Sequence, residues 1–182
     1  MNRKNKQSWL KVGLQVIGDE GVNALTIQRM TEILGITKGS FYHHFTNIET
    51  FKSELIEFWA NQYLSTANDI PEAPAERLAL LDLIMKEGFS QITEPEVAIR
   101  AWAQQNEMVR QVVTQVDKVR NQFVYKVFLG LESDKAKAKL IADTFSTMLI
   151  GCITSLPPLP PDRIMALYAE FKRIYKLDQS RA

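Results

Sequence analysis

Apolar residues recur three and four positions apart through nearly all of this chain, and that spacing limits the folds open to it. Side chains at this spacing lie on one face of an α-helix. No stretch shows the alternation of apolar and polar residues that marks strands joined by hairpin turns. The sequence therefore predicts an all-α fold. The predicted helices cover residues 7–19, 27–34, 38–44, 48–68, 75–92, 96–104, 107–130, 134–155 and 162–176.

Composition excludes several classes of protein. With 182 residues and 46% hydrophobic side chains, the chain can bury a sizeable core. No apolar run is long enough for a membrane span, and Met1–Lys6 lacks the apolar stretch of a signal peptide, so we expect a cytoplasmic protein. The single cysteine, Cys152, lies in an apolar stretch, which favours a buried structural thiol. Because no nucleophile with a base, metal-ligand cluster or phosphate loop is evident, we expect no cofactor, metal or enzymatic activity.

The charge distribution leaves two interpretations open. The net charge is +1, which does not by itself indicate a nucleic-acid partner. Residues 1–50 hold six Lys or Arg and four Asp or Glu, a balance of +2, and four of those cations precede residue 12. Such a terminus is typical of a basic arm that lies along phosphates, or of a segment that only aids solubility.

The segment Thr37–Phe45 predicts a short helix with one buried face and one open face. Thr37 can act as the N-cap, because its hydroxyl can accept a hydrogen bond from an amide of the first turn. Phe41 and Phe45 stand four residues apart and share the apolar face, so Tyr42 and the polar first turn point away from the core. An exposed turn that offers a cation, bare backbone and a hydroxyl suits a groove of DNA.

The two preceding segments complete a helix-turn-helix pattern. Thr26 is the predicted cap of the helix over 27–34, and a tight turn follows at Gly35. The helix over 7–19 supports this pair. The spacing therefore predicts a DNA-binding helix-turn-helix whose second helix covers 38–44.

These residues resemble the DNA-binding signature of the TetR family of bacterial transcriptional regulators. The resemblance implies an all-helical homodimer, with a DNA-binding domain at 1–47 and a ligand-binding and dimerisation domain at 48–182. It further implies a repressor that a small-molecule effector releases from a palindromic operator in double-stranded DNA. The matching residues are Gly21, Leu25–Ile27, Leu34–Phe45 and Asn47.

Two positions depart from the family pattern. Ile48 stands where the family usually has a lysine that contacts a phosphate, and Met30–Thr31 replaces the commoner Ile-Ala. Lys52, one helical turn after Ile48, is the predicted substitute for the missing phosphate contact.

By matched position, the resemblance implies two groups of DNA contacts besides Lys52. The first group faces base edges or the adjacent backbone, and the second holds phosphates. The alternative for each residue is an ordinary solvent-facing side chain. The first group is Gln28, Lys38, Gly39, Ser40 and His43, and the second is Thr26, Thr37, Tyr42 and His44.

The resemblance also places an effector cavity among the helices after residue 48. The candidate lining is aromatic, flexible or polar with little charge, which favours a neutral or lipophilic effector. The same composition describes a plain core. The candidates are Trp59, Tyr63, Phe89, Trp102, Asn106, Met108, Phe123, Phe128, Thr144 and Met148.

The last two predicted helices are the candidates for a homodimer interface. The helix over 134–155 is apolar nearly all round, so it needs more than one partner face. The alternative is that both helices pack inside one protomer. A second function also stays open, namely a helical dimeric interaction or ligand-binding module without operator binding. The candidate interface residues are Phe145, Leu149, Ile153, Leu167, Phe171 and Ile174.

Overall fold

The computed structural model describes residues 5–64, 71–90 and 94–177, and it leaves the side chains of residues 88–90 and 94 undescribed. Within these ranges the regular structure is helical, without strands, which confirms the predicted all-α fold. No helix in the described ranges is long and apolar enough to cross a bilayer. The helices are α1 (Lys6–Glu20), α2 (Ile27–Leu34), α3 (Lys38–Tyr42), α4 (Ile48–Leu64), α5 (Pro74–Ser90), α6 (Glu94–Ala103), α7 (Glu107–Leu129), α8 (Lys135–Thr154) and α9 (Pro161–Ile174).

Local signals explain most helix boundaries. The side chain of Asn47 accepts a hydrogen bond from the Thr50 amide at 2.8 Å and caps the start of α4. Asp134 does the same for α8, with its Oδ1 2.8 Å from the Ala136 amide. A short 3₁₀ turn at Val22–Ala24, which the periodicity does not reveal, fills the gap between α1 and α2. Predicted helical residues 65–68, 91 and 92 lie outside the described ranges.

The chain divides into two compact units, each with its own core. The first unit comprises residues 1–65 and 93–116, and the second comprises 66–92 and 117–182. The predicted functional division at residues 47 and 48 stays a prediction, because compactness does not reveal function. The core of the first unit is built around Trp9, Phe41, Phe51, Trp59 and Ile99, and that of the second around Phe128, Phe145, Tyr168 and Phe171.

Polar contacts add to the apolar packing of the second unit. The Tyr168 hydroxyl of α9 donates to Asp82 Oδ1 of α5 at 2.7 Å, and Lys172 Nζ donates to the same oxygen at 3.0 Å. Asn121 of α7 donates to Asp143 of α8 at 3.0 Å. Cys152 is buried as predicted, and burial raises the pKa of its thiol, which keeps the thiol protonated.

Gly18 allows α1 and α6 to approach closely, and we predict that Gly18→Ala lowers the free energy of unfolding. A Cβ at this position would lie 2.8 Å from Pro95 Cδ and 3.0 Å from the Pro95 backbone nitrogen. A proline ring and its backbone cannot rotate away, so we expect overpacking to cost about 1–3 kcal/mol. Urea unfolding followed by circular dichroism measures the change.

Gly39→Ala is the matched control, because a Cβ at Gly39 would meet only Thr37 Oγ1, at an ordinary 3.8 Å. Alanine is favoured over glycine in a helix by up to about 1 kcal/mol, so this variant should be as stable as the native chain or more stable. Equal effects of the two substitutions would contradict the close packing of α1 on α6.

Candidate nucleic-acid interface

The turn between α2 and α3 is fixed by the backbone geometry at the end of α2. Thr26 caps α2 as predicted, with its Oγ1 3.1 Å from the Arg29 amide. Gly35 ends α2 in the left-handed region at φ 66° and ψ 36°, where a side chain would be strained. The Gly35 amide donates to the Glu32 carbonyl, and the Ile36 amide donates to the Thr31 carbonyl at 3.2 Å. This paired C-terminal motif sets the direction in which α3 leaves α2.

Aromatic side chains hold α3 on the core of the first unit. Phe41 is fully buried, and its ring lies edge-on to Trp9 of α1, with centroids 5.4 Å apart. Phe45 is also buried, and its ring lies 4.9 Å from that of Phe51 in α4. Contacts with α1 and α4 therefore fix a five-residue helix that could not persist alone in water.

The opposite face of α3 is open to solvent. Lys38, Gly39 and His43 are exposed, Ser40 is partly exposed, and Tyr42 keeps 59% of its surface accessible. The predicted orientation of this face is thus confirmed, since Phe41 points inward and its neighbour Tyr42 points outward. Nothing within the described part of the chain explains a glycine at position 39, because a Cβ there would stand in nearly open space.

Thr37 is the N-cap residue of α3, but the predicted side-chain cap is wrong. Its hydroxyl accepts no capping hydrogen bond. The amide of Ser40 is instead paired with the backbone carbonyl of Thr37 at 3.0 Å, so that donor no longer requires the hydroxyl. The helix also ends earlier than predicted, at Tyr42, and His44 is half-buried just beyond it.

Acidic side chains adjoin the remaining candidate contacts. Gln28 Nε2 donates to Glu32 Oε1 at 3.1 Å. Lys52 Nζ pairs with Glu49 Oε1 at 2.9 Å, one turn along α4. Ile48 is partly buried and packs against the core of the first unit, so Lys52 is the cation nearest in sequence to that position. In the free chain Gln28 and Lys52 thus each contact a carboxylate.

Arg29 joins this group of carboxylates, although the sequence-based prediction did not include it. Its Nε lies 2.9 Å from Glu20 Oε1, and its Nη1 lies 3.7 Å from Glu32 Oε2. The hydrogen bond to Glu20 raises the pKa of the Arg29 guanidinium, which therefore stays charged. The three-residue spacing of Arg29 and Glu32 on one helix could have revealed the Glu32 contact, whereas the Glu20 contact joins α1 and α2.

The ten candidate pocket residues are distributed over both compact units. In the first unit, Trp59 and Trp102 belong to the buried core, and Tyr63 and Met108 pack against it. Asn106 Oδ1 accepts a hydrogen bond from the Val109 amide at the start of α7.

The other five candidates belong to the second unit. Phe128 belongs to its core, and Phe123 and Met148 pack against it. Thr144 is exposed, and its hydroxyl donates to the Leu140 carbonyl of its own helix at 2.8 Å. The side chain of Phe89 lies outside the described residues. An effector cavity lined by these residues stays a prediction.

The candidate dimer residues differ in accessibility. Phe145, Ile153 and Phe171 are buried within the second unit, where a second copy of the chain would not contact their side chains. Their apolar character serves the chain's own core. Leu149 and Leu167 are partly exposed, and Ile174 keeps 58% of its surface accessible. A dimer contact on α8 and α9 stays a prediction, and these three residues are the ones left to make it.

A comparison with protein families supports this interpretation of the N-terminal helices. Residues 10–55, from α1 to α4, match the family model of the bacterial regulatory proteins of the tetR family. The N-terminal segment from α1 to α4 thus matches the tetR family. The matched range includes Thr26, Gly35, the whole of α3 and the aromatic residues that hold α3 on the core.

The chain is also similar to individual proteins. It is 28% identical over 88 residues to the transcriptional regulator AcuR of Cereibacter sphaeroides, a match that covers 46% of this chain and 40% of the relative. Among solved structures it is similar to a TetR-family transcriptional regulator from Agrobacterium tumefaciens, at 16% identity and TM-score 0.71, over 92% of this chain and 95% of the other. A TetR transcriptional regulator from Legionella pneumophila aligns at 15% identity and TM-score 0.65, over 99% of both chains. At these identities the structures show a shared fold.

Proposed function

We propose that this chain is a ligand-responsive, sequence-specific DNA-binding transcriptional regulator that acts as a dimeric repressor in the cytoplasm. The observation that carries the proposal is the division of α3 into two faces. Phe41 is fully buried and fixes the helix, whereas Tyr42 is 59% exposed beside Lys38 and Gly39. A short helix fixed on one side and open on the other suits insertion into the major groove. The similarity to the regulator AcuR supports the same function.

The chemistry of the open face fits base and phosphate recognition. Lys38 can donate to guanine O6 and N7, and the hydroxyls of Ser40 and Tyr42 can bond phosphate oxygens. Gly39 weakens α3 by about 1 kcal/mol relative to alanine, and the described chain shows no packing reason for it. A close approach of α3 to the floor of the groove would supply that reason.

Bulk charge cannot supply the affinity. Residues 1–64 contain seven Lys or Arg and six Asp or Glu, so this stretch has a formal charge of only +1 (7 − 6). Electrostatic attraction to phosphates provides nearly all non-specific binding, and it would be weak here. Specific contacts from α3 must therefore carry most of the binding free energy.

A palindromic operator follows from a dimer. Two copies related by a two-fold axis would place their α3 helices in successive major grooves, about 34–36 Å apart. The proposed self-complementary contact consists of the accessible apolar residues Leu149, Leu167 and Ile174 of α8 and α9. The dimer would exist in two states that differ in the distance between their α3 helices. An effector that binds the wider state more tightly would weaken operator binding by the difference in its affinity for the two states. The low charge of the candidate lining favours a neutral or lipophilic effector. Release from the operator by such an effector requires no catalytic step.

The test measures sequence-specific binding of the full chain. Duplexes selected from a random pool by the native protein should contain an inverted repeat, and fluorescence anisotropy at fixed salt gives the dissociation constant. Lys38→Ala should weaken binding by about 1–3 kcal/mol and relax the preference at one base pair of each half-site. Gly39→Ala should weaken binding on the order of tenfold while stability is kept or raised. Lys118→Ala, which removes an exposed lysine of α7 in the second unit, is the control and should bind as the native chain does.

The outcome that would contradict the proposal is equally clear. The native chain could select no sequence from the pool and bind all duplexes with equal affinity, and only at low salt. That result would favour the interaction module without operator binding. The near-neutral charge of residues 1–64 and the isoleucine at position 48 are the features that such a module would explain.

A further inference from the structure

A chain of polar contacts ends on the side chain predicted to read a base. It starts at Glu20, the last residue of α1, which holds the Arg29 guanidinium at 2.9 and 3.1 Å. Arg29 Nη1 lies 3.7 Å from Glu32 Oε2. The other oxygen of Glu32 accepts a hydrogen bond from Gln28 Nε2 at 3.1 Å. Glu32 thus contacts Arg29 through one carboxylate oxygen and Gln28 through the other.

The chemistry of Glu32 decides which way the Gln28 amide faces. A carboxylate accepts hydrogen bonds and donates none at neutral pH, so Glu32 can pair with the amide nitrogen of Gln28 and not with its oxygen. One N–H of Gln28 is used in this bond. The second N–H and the carbonyl oxygen stay available as an adjacent donor and acceptor. Adenine presents the complementary pair in the major groove, N7 as acceptor and N6–H as donor.

We propose that Glu32 is a positioning residue that makes Gln28 selective for adenine. This inference rests on the proposed function, because it requires that Gln28 contact DNA in the specific complex. Without the carboxylate, the Gln28 amide can turn and present its NH₂ group outward. That orientation suits guanine, whose major-groove edge offers two acceptors, N7 and O6. Glu32 therefore acts on specificity through Gln28 and needs no DNA contact of its own.

A second carboxylate of the same unit supplies the control. Glu49 pairs with Lys52 and has no part in the contacts around Gln28. Glu49→Gln and Glu32→Gln each remove one negative charge from an exposed carboxylate near the candidate interface. Both should tighten binding to every duplex, because each lowers repulsion of phosphates. Only Glu32→Gln should change which base is preferred.

The experiment uses the full chain and the operator that the native protein selects. Gln28→Ala first identifies the base pair read by Gln28, as the position where the preference is lost. At that position a bidentate amide contact discriminates by roughly 5- to 150-fold. Glu32→Gln should reduce the preference for adenine over guanine there by at least about threefold, and Glu32→Asp should keep most of it. Glu49→Gln should leave the preference as in the native chain. The circular dichroism spectrum and the melting temperature of each variant verify that the fold is kept.

Three results would overturn the inference, and they differ from failure of the proposed function. Gln28→Ala could leave every base preference intact, which would mean that Gln28 reads no base. Glu32→Gln could raise the affinity for all duplexes and leave the preference for adenine unchanged, which would mean that Glu32 acts only by repelling phosphates. Glu49→Gln could relax the same base pair as Glu32→Gln, which would make the effect one of charge. In each case the native chain would still bind its operator, whereas a native chain without any sequence preference would refute the function itself.

Discussion

Replacing Phe41 by alanine should lower the free energy of unfolding by about 3–5 kcal/mol, the usual cost of deleting a fully buried phenylalanine. Its ring is fully buried and lies 5.4 Å from that of Trp9 and 5.2 Å from that of Phe45, measured between centroids. Removal would leave a cavity beside Trp9 of α1 and Phe51 of α4, which packing around it can close only in part. Urea unfolding of the full chain, followed by circular dichroism, gives the change.

Tyr42→Ala provides the contrast at the adjacent position. Because 59% of its surface is exposed, loss of the Tyr42 ring should cost well under about 1 kcal/mol of stability. Operator binding should nevertheless fall, since the hydroxyl is a proposed phosphate contact. If Phe41→Ala unfolded at the same urea concentration as the native protein, α3 would not be fixed by its buried face. A destabilised Tyr42→Ala protein would show that the outer face is not free.

The positions of the helices could be predicted because most boundaries are set locally. A cap such as Thr26 or Asn47 needs only its own side chain and an amide three residues on, and both are in the sequence. Thr37 shows the limit of that argument. Its residue type is right for a cap, but the Ser40 amide has a backbone carbonyl available and uses it. The choice between two acceptors depends on coordinates.

The face of α3 could also be predicted, because four-residue spacing makes Phe41 and Phe45 neighbours on one side. The candidate interface residues on α8 and α9 could not be sorted in this way. An apolar side chain such as Phe145 or Ile174 looks the same in sequence whether its own chain or a second copy covers it. Burial separates the two, since Phe145 is fully buried and Ile174 is 58% exposed.

The acidic contacts were the main omission at the candidate interface. Sequence reasoning selected residues that attract DNA, so Glu20, Glu32 and Glu49 were passed over. Their spacing from Gln28 and Lys52 was visible, but the contact from Glu20 to Arg29 joins two helices and depends on the fold. Side chains that restrain a binding residue are as much part of a site as those that touch the ligand.

Removing the carboxylate of Glu96 should have the second large effect on stability, about 3–5 kcal/mol. Glu96 and Arg100 lie one turn apart on α6, and their residues are only 7% and 8% exposed. Arg100 Nε and Nη2 lie 3.1 and 2.9 Å from Glu96 Oε1. Glu96→Ala would remove this carboxylate from beside a buried guanidinium, and the loss of a counter-charge inside the protein is costly. Thermal or urea unfolding measures the loss.

Glu107→Ala tests whether burial is the cause. Glu107 and Arg110 form a pair of nearly the same spacing on α7, at 2.7 Å, but both side chains are more than half exposed. An exposed pair contributes about 0–1 kcal/mol, so its removal should change the free energy of unfolding very little. The double variant Glu96→Leu with Arg100→Leu should recover much of the stability lost in Glu96→Ala, because it removes both buried charges and keeps apolar volume. Equal costs for Glu96→Ala and Glu107→Ala would contradict this account, since the sequence spacing alone would then decide the effect and the packing of α6 would not.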